Sequence, residues 1–82
     1  MYIEKIRCKK VGDGSEENPI RPDVDSVMPV LKKIRDFVCK SGKYKDRTFF
    51  TVQVVKDLGD SFEVEIKAEK PPEEIAKELG IS

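Results

Sequence analysis

Histidine and tryptophan are absent from this sequence of 82 residues, and Asn18 and Gln53 are its only side-chain amides. Without histidine, the usual general base, nucleophile activator and metal ligand is missing, and acid–base chemistry would fall to carboxylates or lysines. Cysteine is scarce as well: Cys8 and Cys39 lie far apart, without the CxxC spacing of zinc and redox motifs. No neighbouring motif would activate either thiol. These absences predict no catalytic residue, no metal site and no cofactor, and so a protein that is not an enzyme.

Long apolar runs are also missing. Nothing in the chain approaches the roughly 18 apolar residues of a membrane span, and the opening MYIEKIRCKK has no apolar signal-peptide core. The expectation is a cytoplasmic chain with no membrane partner.

What is abundant is charge of both signs. Charged residues make up 39% of the chain and hydrophobic residues 38%, and 16 basic residues balance 16 acidic ones. A disordered polyelectrolyte and a strongly basic nucleic-acid binder are both disfavoured by that balance. One domain spanning 1–82 is expected, and its dominance by lysine and glutamate resembles the composition of thermophile proteins. The charges are segregated along the chain: residues 1–11 and 26–50 are basic, whereas 12–25 and 51–82 are acidic. A neutral molecule with opposite patches has weak self-repulsion and a physical reason to self-associate.

Periodicity predicts an α+β fold in the order β-α-β-β-α. Ile6 and Cys8, two residues apart in 2–11, indicate a first strand. Residues 12–25, with Gly12, Gly14, Pro19 and Pro22, read as a long acidic loop. Val27, Val30, Leu31, Ile34, Phe37 and Val38 follow helical spacing, with Asp25 or Ser26 as N-cap, Pro29 in the first turn and Gly42 closing the helix. Residues 48–57 and 60–69 alternate as a hairpin. A three-residue loop Asp57–Leu58–Gly59 would set Val54 opposite Phe62, Val52 opposite Val64 and Phe50 opposite Ile66, giving one apolar face. Pro71 and Pro72 open a last helix over 71–80. The expected product is a two-layer sandwich: a three-stranded, mostly antiparallel sheet with two helices on one face and the first strand beside the third. Cys39 falls off the helix stripe and should be exposed, too far from Cys8 for an internal disulfide.

Three surfaces are candidates for function. The first is the sheet face or edge carrying Phe49, Thr51, Gln53 and Val55, which the helices would leave uncovered and through which the chain would form a dimer with itself. The second is the basic segment with Lys40, Lys43, Tyr44, Lys45 and Arg47, where cations could hold the phosphates of RNA or single-stranded nucleic acid while Tyr44 stacks on a base. The third is the acidic loop with Asp13, Glu16, Glu17, Asp23 and Asp25, whose oxygens suit calcium, although the spacing is not that of an EF-hand. The ending EEIAKELGIS resembles the first helix and turn of bacterial helix-turn-helix domains. Those domains read DNA with their second helix, so no binding residue is carried over from the resemblance. The leading expectation is a non-enzymatic interaction module that self-associates.

Overall fold

A computed structural model describes residues 1–81; Ser82, the last residue of the helix-turn-helix likeness, lies outside the described residues. The elements are β1 (Tyr2–Val11), β2 (Arg21–Pro22), α1 (Val24–Val27), α2 (Pro29–Ser41), β3 (Phe50–Asp57), β4 (Ser61–Ala68) and α3 (Pro72–Leu79). All strands join one antiparallel sheet in the order β2-β1-β4-β3, so the first strand does lie beside the last. The α+β class holds, but the sheet has four strands rather than three, and the described residues form three helices rather than two.

The additional strand comes from the segment expected to be a long loop. Positive φ at Gly12 and Gly14 turns the chain, and the Asp13 and Gly14 amides both donate to the Asn18 carbonyl. The returning chain then pairs Arg21 with Val11 and Pro22 with Lys10. Proline cannot donate to a ladder, but on an edge its missing N–H is tolerated.

The additional helix comes from Pro29. A proline in the first turn removes no hydrogen bond, yet its ring disfavours the helical region for the residue before it. Met28 accordingly sits at φ −130° and ψ 78°, separating the single turn α1 from α2. The N-cap of α2 is therefore Met28 rather than Asp25 or Ser26. Its C-terminus is as expected: Gly42 is left-handed at φ 67° and its N–H donates to the Val38 carbonyl.

The β3–β4 hairpin keeps its predicted faces but not its predicted pairing. Val54 faces Val64, Val52 faces Ile66 and Phe50 faces Ala68. The turn is Leu58–Gly59–Asp60–Ser61, closed by the Leu58 N–H donating to the Ser61 carbonyl at 2.9 Å. Of its central residues only Gly59 has positive φ, 91°. Continued without interruption, such a two-residue turn would set Val54 opposite Glu65 and mix polar groups into the apolar face. A β-bulge at Val55 adds one residue to β3 and restores the face.

The core lies between that face and the helices. Cys8, Val64 and Ile66 pack with Leu31 of α2, while Ile34 of α2 packs with Ala68, Phe49 and the α3 residues Ile75 and Ala76. This layer covers β1, β4 and the start of β3 at Phe50, but stops short of Val52 and Val54. Val64 and Ile66 are 0% exposed, whereas Val52 and Val54, on the same face one strand further out, are 41% and 42% exposed. Both cysteines are free; Cys8 is buried and Cys39 exposed. Burial, and secondarily the charge of Asp23, pushes the Cys8 thiol above its ordinary range.

Candidate interaction surface

β3 forms the outer edge of the sheet, with β4 on one side and, among the described residues, no strand on the other. Its uncharged run is the longest in the chain: Thr48 to Val55 contains no ionisable side chain although 39% of all residues are charged. Edge strands are ordinarily blunted by charge, proline or covering segments. Here the blunting begins only at the Val55 bulge and Lys56. Val52, Val54 and Val55 each expose more than two-fifths of their surface, and Leu58 in the following turn is 39% exposed.

Of the expected interface residues, Thr51 and Gln53 are exposed on the open face, opposite Lys67 and Glu65, and Val55 is exposed in the bulge. Phe49 is corrected. It precedes β3, is 4% exposed, and packs in the core with Ile34, Ala68 and Ile75. The alternation that would have placed it beside Thr51 does not extend beyond the strand. Val52 and Val54 were expected to be covered because their face is apolar. Their exposure follows from how far the helices reach, and the uncharged run was the one sequence signal that marked the strand. Between α2 and the start of β3 runs an apolar groove of about 320 Å³, lined by Ile34, Val38, Phe49 and Phe50, with Arg35 and Cys39 at its margin.

The basic segment does not present its five residues together. Lys40, Lys43 and Lys45 are exposed, but Tyr44 is half-buried between Phe37, 6.5 Å away, and Phe49, 5.4 Å away in an edge-on arrangement. Its ring faces are not a free stacking platform. Arg47 lies over the Phe49 ring at 4.3 Å and donates to Glu69 at 2.7 Å, with Glu78 at 3.5 Å. Lys70 pairs with the same Glu78. Hydrogen bonding from Arg47 holds the Glu69 carboxyl below its usual range, and that from Lys70 does the same for Glu78. No family model, curated protein or solved structure matches this chain.

Of the acidic-loop carboxylates, Asp13 is occupied with the loop's own backbone. Asp13 accepts the Ser15 amide at 2.9 Å, and the Ser15 side chain and amide hold its carboxyl low. Asp25 pairs with Arg35 of α2 at 3.3 Å. No three metal-ligating side chains converge among the described residues, so the calcium reading has no cluster of ligands there.

Proposed function

We propose that this protein is a non-enzymatic interaction module that self-associates through β3. The observation that carries the reading is the uncharged, exposed edge with Val52, Val54 and Val55. An edge strand offers unpaired N–H and C=O groups to another strand, and the surrounding valines add apolar area that water would otherwise contact. A net charge of zero leaves little long-range repulsion between copies. Nucleic-acid binding is the second reading. It rests on Lys40, Lys43 and Lys45, which have no ion-pair partner among the described residues, and it lacks the aromatic platform that Tyr44 was expected to supply.

Light scattering at micromolar concentration tests the proposal. The expected result is a dimer that Val54→Lys together with Val55→Lys converts to monomer while the circular dichroism spectrum is preserved. A monomeric wild type overturns it, and so does a dimer indifferent to both substitutions.

A further inference from the structure

We infer that two copies pair β3 against β3 antiparallel about a two-fold axis through Val52, joining their sheets into one continuous sheet of eight strands. This rests on the self-association reading and specifies its geometry. A two-fold axis perpendicular to a sheet pairs residues that share a face, so each residue meets one an even number of positions away. Both helix layers then lie on the same side.

The bulge chooses among the registers that remain. Regular pairing in β3 runs from Phe50 to Val54 and is interrupted at Val55. Centring on Val52 matches all of that regular span with itself: Val52 meets Val52, Thr51 meets Gln53, and Phe50 meets Val54. Centring on Gln53 would instead draw the bulge into the ladder and set Lys56 against Phe50. With Val52 on the axis, the helix side of the junction carries only Phe50, Val52 and Val54 from each copy, and the open side carries Thr51 and Gln53.

Charge at the two ends of the strand specifies a second copy as the occupant. The segment leading into β3 carries Lys43, Lys45 and Arg47 against Asp46, net +2, and the stretch leaving it carries Asp57 and Asp60 against Lys56, net −1. Antiparallel pairing lays each copy's leading segment along the other's turn. Arg47 stays with Glu69 and Glu78 and Asp57 with Lys10, whereas Lys43 and Lys45, without an ion-pair partner among the described residues, are carried toward the partner's turn at Asp60. Parallel pairing would align like charges. The segment singled out for nucleic acid thereby acquires an acidic protein surface to meet, and the attraction weakens as salt screens it.

Cysteine cross-linking reads the register directly. In a Cys39→Ser background, Val52→Cys on the axis should oxidise to a disulfide-linked dimer, while Gln53→Cys, which faces Thr51, should link at least tenfold more slowly. Asp60→Lys should weaken association, and adding Lys45→Glu should restore it. A dimer by light scattering in which Gln53→Cys links faster than Val52→Cys, or in which neither links, overturns this register and leaves self-association standing. A monomeric wild type removes both. A strand-forming peptide that binds the edge of a monomer would also overturn the two-fold pairing.

Discussion

Gly12 and Gly59 both adopt positive φ, 103° and 91°, but they differ in what surrounds them. A Cβ on Gly12 would lie 2.2 Å from the Pro19 carbonyl oxygen, whereas one on Gly59 would meet nothing within 4 Å. Gly59→Ala should therefore cost about 1 kcal/mol through backbone conformation alone. Gly12→Ala should cost on the order of 3 kcal/mol, because the loop joining β1 to β2 must also move. Urea unfolding of the two variants measures the difference, and equal midpoints would contradict it. The two positions look alike in sequence, each a glycine beside an aspartate; only the return of the chain through Asn18 and Pro19 distinguishes them.

Pro29 and Val55 show how one residue reshapes an element. The apolar spacing from Val27 to Val38 is that of one helix, and Pro29 divides it by excluding Met28 from the helical region. Pro29→Ala should let α1 and α2 merge, raising the helical ellipticity at 222 nm. The same change should lower stability, because merging moves Met28 away from the cluster of Cys8, Leu31, Val64 and Ile66 that it packs against. An unchanged spectrum would place the break elsewhere than in the proline ring. In the hairpin, alternation correctly assigned Phe50, Val52 and Val54 to the same face as Val64 and Ile66. The pairing itself depended on the turn and the bulge, and an alternating pattern is insensitive to a shift of two residues.

For the molecule as a whole, ion pairs join segments far apart in the chain. Arg47 connects to Glu69 and Glu78, and Lys10 pairs with Asp57 at 2.8 Å. Hydrogen bonding from Lys10 and from Gly59 lowers the Asp57 carboxyl, as Arg47 and Lys70 lower Glu69 and Glu78. A carboxyl lowered in the folded state stabilises it above the ordinary carboxylate range, near pH 4, and that contribution is lost as pH falls through the folded value. The melting temperature should thus fall between pH 5 and pH 2. Arg47→Ala should lower it modestly at pH 7, since the partners are exposed, and should make the acid-induced fall shallower. A parallel fall in wild type and variant would show that the Arg47 pairs do not contribute.

Local physics reaches a long way in this chain. The absence of histidine, the apolar stripe of α2, the glycine stop at Gly42, the apolar face of the hairpin and the exposure of Cys39 all depend on residue chemistry and short-range periodicity, and all were legible in the sequence. Tertiary structure alone decided three further matters: that Arg21 and Pro22 form an edge strand, that Phe49 turns into the core against the edge of Tyr44 and beneath Arg47, and that Val52 and Val54 remain exposed. Each depends on how segments distant in sequence meet in space, above all on the helices reaching Phe50 at the start of β3 but stopping before Val52 and Val54. Periodicity says which face of a strand is apolar; only packing decides whether anything in the same molecule covers it.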